Sequence, residues 1–174
     1  MPIYALGSDE PSIAPNAYVH PDAVVIGNVT IAEEATIWPG AVLRGDHGGH
    51  IVVGARTSIQ DGTVLHTTSR WPTIIADECV VGHNAHLEGC SVERRCLIGS
   101  GSVTLNRAVI REGAVVGAGA LVPEDFEVPS HTMALGVPAR LRSARIDPDW
   151  MDKAVRGYVA AGVYYRQALR HIDG

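Results

Sequence analysis

Large aliphatic residues recur every six positions along most of this chain. They stand at Val19, Val25, Ile31, Ile37 and Leu43, then at Val53, Ile59 and Leu65, then at Ile75, Val81 and Leu87. After one shortened step the phase resumes at Val92 and runs through Ile98, Ile110, Val116, Val122 and Val128, broken only by Thr104. Two residues before these positions sit small side chains, among them Ala23, Ala35, Ala41, Thr57, Thr63, Thr73, Ala85 and Ala108. Such a hexad gives a strand of a few residues with one large and one small side chain turned inward, followed by a corner. Three hexads close one triangular coil, and coils stack with strands about 4.8 Å apart. One hexad cannot bury its own apolar face, so stability has to come from stacking. The pattern predicts a β-solenoid, a parallel β-helix.

The repeat ends near Pro129, and from Asp147-Pro148 the period changes. Asp147 suits a helix cap and Pro148 the first helical position. Met151, Ala154, Tyr158, Ala161, Tyr165, Ala168 and Ile172 then follow 3,4 spacing, predicting an amphipathic C-terminal α-helix packed along the solenoid. Gly157 and Gly162 weaken that helix in isolation, so docking must hold it. The chain therefore divides as a single domain over 1–174, with a β-helix over 11–130, a connector over 131–146 and a helix over 147–172. The hexads resemble those of the hexapeptide-repeat proteins, a resemblance that implies left-handed coils.

Two departures from six mark the places for chemistry. Leu43 to Val53 and Leu65 to Ile75 each span ten residues, so each holds an insertion that must bulge outward, and loops on a rigid solenoid are natural binding sites. The first carries Arg44-Gly45-Asp46-His47-Gly48-Gly49-His50; the second starts at His66 and runs through Trp71-Pro72. Counting three hexads per coil puts Leu43, Leu65 and Leu87 on one face, which stacks Arg44, His66 and Glu88 as an outward column. Ile59 and Val81 share a different face, so Asp61 stacks beside His83 at a corner. His83 thus points away from the His66 column of its own chain. It completes a site with His66 and Glu88 only if a neighbouring copy supplies it, which argues for a cyclic homotrimer.

Composition narrows the partners. Hydrophobic residues make up 46% of the chain but aromatics only 5%, with one Phe, which suits thin stacked strands of Val, Ile, Leu and Ala. A formal charge of −5 and a pI near 5.9 leave no basic field, which argues against nucleic acid and an anionic membrane surface and for a small-molecule substrate. Met1-Pro2-Ile3-Tyr4 opens no secretory leader, and the expected location is cytoplasmic. Cys79, Cys90 and Cys96 fall in the small inward slot and read as core rather than as ligands.

Four stretches resemble the γ-class carbonic anhydrase family: Trp38-Pro39-Gly40-Ala41-Val42-Leu43-Arg44-Gly45-Asp46, Ile59-Gln60-Asp61-Gly62-Thr63-Val64-Leu65-His66, Val81-Gly82-His83, and Leu135-Gly136-Val137-Pro138-Ala139. The resemblance covers most of the chain and implies metal-dependent hydration of carbon dioxide to bicarbonate, a lyase reaction. Three histidines at subunit interfaces hold Zn2+, or another divalent ion such as Fe2+ or Co2+, in that family. His66 and His83 match two of them. The third position, five residues after His83, is Glu88, with His86 as the alternative on the same strand. Two histidines and a glutamate form a known catalytic zinc set; a site that has lost its third ligand is the other reading. Gln60 matches a glutamine that hydrogen-bonds near the reacting water, and Asp61 the adjacent carboxylate. Arg44 and Asp46 match an interface ion pair, and Tyr164 matches an active-site tyrosine. The acidic proton-shuttle loop is missing, with His47 and His50 as its possible substitutes. The competing functions are a catalytically weak or inactive trimeric scaffold or metabolite-binding relative, and a hexapeptide acyltransferase that uses coenzyme A.

Overall fold

A computed structural model describes residues 2–143 and 147–172. The chain winds as a left-handed parallel β-helix with three flat sides. The first sheet has seven strands, among them Val24–Gly27, Val42–Gly45, Val64–His66 and His86–Glu88. The second also has seven, from Ser12–Ile13 to Glu127–Val128. The third has eight, from Tyr18–Val19 to Met133–Leu135, and ends in an antiparallel hairpin with Arg140–Arg142. Parallel pairing already begins at Ile3–Tyr4, which lies on Val25 and Ile26, so the solenoid starts earlier than the first aliphatic hexad suggested. Within the expected connector, residues 144–146 lie outside the described residues.

The inward positions of the repeat form the core. Val25, Leu43, Leu65, Leu87, Ile37, Ile59, Val81, Ile98 and Ile110 have no solvent exposure. The three cysteines are buried free thiols in the same core, and burial pushes the Cys90 thiol up to about 12, consistent with packing rather than reactivity. Thr104, the one polar residue in a large inward slot, is fully buried between Leu87 and Val122 in the ladder. Its hydroxyl finds no partner among the described residues. Thr104→Val removes that unsatisfied group at similar volume and is expected to raise unfolding stability by about 1 kcal/mol, read as a higher urea midpoint; a lower midpoint would show that the hydroxyl has a partner in solution.

The C-terminal helix spans Pro148–Ala168, capped by Asp147, whose side chain accepts from the Asp149 amide at 3.0 Å. It lies on the outer side of the third sheet, where Met151 and Val155 pack with Val80. Arg95 ties one end to Asp152 at 2.6 Å, and Arg166 ties the other to the carbonyls of Asn16 and Ala17 at 2.7 and 2.8 Å. Met151, Ala154 and Tyr158 of the expected stripe pack on the sheet and Tyr165 on Trp38, Val155 and Gly162 are buried beside them, and Ile172 lies past the helix end, 74% exposed. At Gly162 an added Cβ would come within 2.7 Å of Thr36 and 3.1 Å of Tyr18, so the glycine that weakens the isolated helix is what lets it approach the sheet. Trp38 and Tyr18 fill the gap beside it, with the Trp38 and Tyr165 ring centroids 5.1 Å apart.

Candidate functional site

The outward column forms as a register of adjacent strands. His66 pairs with Arg44 on one side and Glu88 on the other, because the inserted loops leave the strands of successive coils aligned. Both insertions bulge at this edge and touch each other. A Cβ on Gly49 would collide with Thr67 Oγ1 and the Thr68 carbonyl at 1.7 and 2.5 Å, so only glycine allows that closeness. His47, at φ 54°, and Gly48, at φ 78°, turn the first loop back, and Asp46 is delivered over the His66 ring.

The Asp46 carboxylate accepts from Arg44 and from His66 Nε2, the latter at 2.9 Å. Burial alone would raise its pKa, but the hydrogen bonds from His66 and Arg44 and the Arg44 charge outweigh it, holding the group below its ordinary value. An ionised carboxylate can only accept, so His66 carries its proton on Nε2. His66 Nδ1 faces Glu88 Oε1 at 3.6 Å, beyond hydrogen-bond reach. The other Glu88 oxygen, Oε2, bonds His86 Nε2 at 3.3 Å. The backbone beneath is pinned as well: buried Thr73 donates to the His66 carbonyl and accepts from the Gly89 amide at 2.7 Å. Sequence reasoning read Thr73 only as a small core residue; its one distinguishing sign was a hydroxyl directly inside an insertion boundary.

His83 and Asp61 stand apart at a corner of the third sheet. His83 Nδ1 bonds Asp61 Oδ2 at 2.9 Å, with both side chains about half exposed at 51% and 50%, which leaves Nε2 outward. Gln60 is buried on the same sheet, 4% exposed. Tyr164 is 66% exposed on the helix, its ring 6.2 Å from that of Tyr165. Thus the structure gathers Arg44, Asp46, His66, His86 and Glu88 in one place and keeps His83, Asp61, Gln60 and Tyr164 out of it. Among the described residues, one set of three potential ligand atoms converges within a chain: Asp46, His47 and His66 lie within 4.8 Å of one another. Arg44 already neutralises that carboxylate, which disfavours a divalent ion there. His20 is 9% exposed beside Tyr18.

A second feature runs beside the column. Val24, Val42, Val64, His86, Val103 and Leu121 succeed one another on the outside of the first sheet. All are half-buried in the single chain. An outward ladder of aliphatic side chains interrupted by one histidine is an interface composition. No helix among the described residues is long and apolar enough to cross a membrane.

The profile of the bacterial transferase hexapeptide family, six repeats, matches residues 10–45. Carnitine operon protein CaiE of Proteus sp. (strain LE138) is 37% identical over 171 residues, covering 97% of this chain and 86% of that protein. A carbonic anhydrase of Geobacillus kaustophilus is 40% identical over 166 residues, covering 94% and 91% respectively. A crystal structure of a Bacillus cereus protein described as a putative acetyltransferase superposes with TM-score 0.91 at 34% identity, covering 96% of this chain and 98% of that one.

Proposed function

The chain belongs to the γ-class carbonic anhydrase family of hexapeptide-repeat proteins, and from that premise we propose that it hydrates carbon dioxide to bicarbonate at metal sites shared between neighbouring subunits of a homotrimer. The observation that carries the reading is the pair His66 Nδ1 and Glu88 Oε1, facing each other 3.6 Å apart on one outward column. An imidazole nitrogen and a carboxylate oxygen in that relation are a ready pair of ligands for a divalent ion. The spacing fits the chemistry, since two donors held around one tetrahedral zinc ion sit roughly 3.4 Å apart. His83 suits the third position: Asp61 accepts a hydrogen bond from its Nδ1–H and leaves Nε2 to serve as the ligand, as carboxylates behind metal-binding histidines do.

His83 lies on another side of the solenoid, so the donor set closes only when a second copy brings its His83 to the first copy's His66 and Glu88. The aliphatic ladder next to the column is the surface such a copy would cover. A divalent ion held by His66, Glu88 and the neighbour's His83 would supply Lewis acidity, enough to make water a source of hydroxide near neutral pH. The chain's own groups do the rest. Asp46, clamped by Arg44, fixes the His66 tautomer. His86 holds one oxygen of Glu88 and so orients the other, which makes it a positioning residue for Glu88 rather than the ligand. Gln60 offers an amide beside Asp61, the place the family resemblance assigns to hydrogen bonding near the reacting water.

The test is direct. Purified protein is expected to run as a trimer in light scattering, to carry about one divalent ion per chain, and to accelerate carbon dioxide hydration in stopped flow when zinc- or cobalt-loaded. A metal-free trimer that stays inactive after loading would leave the scaffold reading. Acetyl transfer from acetyl-coenzyme A without hydration would favour the acyltransferase.

A further inference from the structure

At the opposite end of the solenoid from the terminal hairpin, the first coil carries a cavity over the core among the described residues. Ile3, Ile13 and Val19 are the first inward residues of the three sheets, each with a strand neighbour on one side only. Together with Pro15, Tyr165 and Leu169 they line a cavity of about 530 Å³ between the first coil and the end of the helix, a size within the usual range for small-molecule sites. One polar side chain interrupts its apolar wall.

It is Arg166. Its Nη2 is committed to the carbonyls of Asn16 and Ala17, and no carboxylate among the described residues pairs with it. Nη1 and Nε keep their donors open, and the guanidinium keeps its charge. Beside it is Tyr18, a cavity-lining residue only 6% exposed, whose hydroxyl has no partner among the described residues. That hydroxyl is also shut off from solvent, so the cavity meets the ring and not the oxygen.

We propose that this end of the solenoid is a binding site for a small monocarboxylate with an unbranched apolar tail. The tail would lie against Ile3, Ile13, Val19 and Leu169, and the carboxylate would take the open donors of Arg166. A cationic amphiphile meets a like charge at the mouth, and a neutral alcohol gains only the apolar wall. Nothing in this site belongs to the metal column, so occupancy and hydration are separately measurable.

The experiment is isothermal titration of the metal-loaded trimer with sodium decanoate, decan-1-ol and decyltrimethylammonium. Decanoate is expected to bind tightest and decyltrimethylammonium not at all. Arg166→Gln should weaken decanoate about tenfold or more, the loss of a charge-assisted hydrogen bond, and leave decan-1-ol unchanged. Because Arg166 also tethers the helix, Ile13→Trp provides the second arm: it fills the cavity from its floor, leaves the tether intact, and should abolish binding of decanoate and decan-1-ol alike. Metal content and hydration should be unaltered in Ile13→Trp. Equal binding of all three probes, no binding of decanoate, or decanoate binding that survives Ile13→Trp would each overturn the proposal.

Discussion

Mixing His66→Ala chains with His83→Ala chains is expected to restore metal binding and hydration that neither variant shows alone. Each variant on its own lacks one imidazole donor in every site. Partners behind a ligand already change metal affinity by about 10–100-fold, so loss of the ligand itself should empty the sites at micromolar metal. A trimer that contains both kinds of chain, however, always has one interface where an intact His66 meets an intact His83. Random assembly at equal ratio places such an interface in about three quarters of trimers, roughly a quarter of the wild-type sites. The measurement is bound cobalt, read by its visible spectrum, and hydration rate after the two chains are unfolded and refolded together. Recovery near that fraction establishes a site shared between chains. Proven mixed trimers without recovery would overturn it, because a site built within one chain cannot be complemented.

That expectation rests on a feature legible in the sequence. Leu43, Leu65 and Leu87 are equally spaced, because each insertion lengthens its coil by the same amount, and the structure pairs them strand on strand. A period-two strand then obliges His66 and Glu88 to face outward together. The separation of His83 follows from the same counting, and Asp61 stands beside it at hydrogen-bond distance. Solenoid geometry is almost one-dimensional, so arithmetic along the chain converts directly into neighbours in space.

What arithmetic does not reach is where a loop or a docked helix settles. Asp46 and Arg44 read from sequence as an ion pair, and they are one within the chain, yet the contact that shapes the site is Asp46 on His66. It depends on the first insertion folding over the second, which is decided by the fit of Gly49 against Thr67. The helix has the same character. Its period is plain in the sequence, but its rotation is set by Trp38 and Tyr18 on the sheet beneath and by the single position, Gly162, where a side chain has no room. His20 is covered for a related reason: it neighbours Tyr18 in that aromatic layer.

Glu88→His is expected to retain the trimer and to hydrate carbon dioxide faster than the parent at neutral pH. Glu88 projects outward from a strand whose inward residue, Leu87, is fully buried, so the change leaves the core untouched. An anionic donor lowers the effective charge of a bound divalent ion, and a neutral imidazole restores it. Water at the site therefore becomes acidic at lower pH, and the midpoint of the pH–rate profile should move down, with a gain in rate of about tenfold for each pKa unit where hydroxide is limiting. Glu88→Ala should bind metal more weakly, since it leaves His66 Nδ1 facing no second donor from its own chain. His86→Ala is the discriminating control. If His86 only orients the carboxylate through the 3.3 Å contact, metal occupancy should fall far less than in Glu88→Ala. Loss of metal in His86→Ala with full occupancy in Glu88→Ala would reassign the third donor to His86. No change in either would mean that the column holds no ion, and the pairing of His66 with Glu88 would then be a strand-to-strand contact within the chain alone.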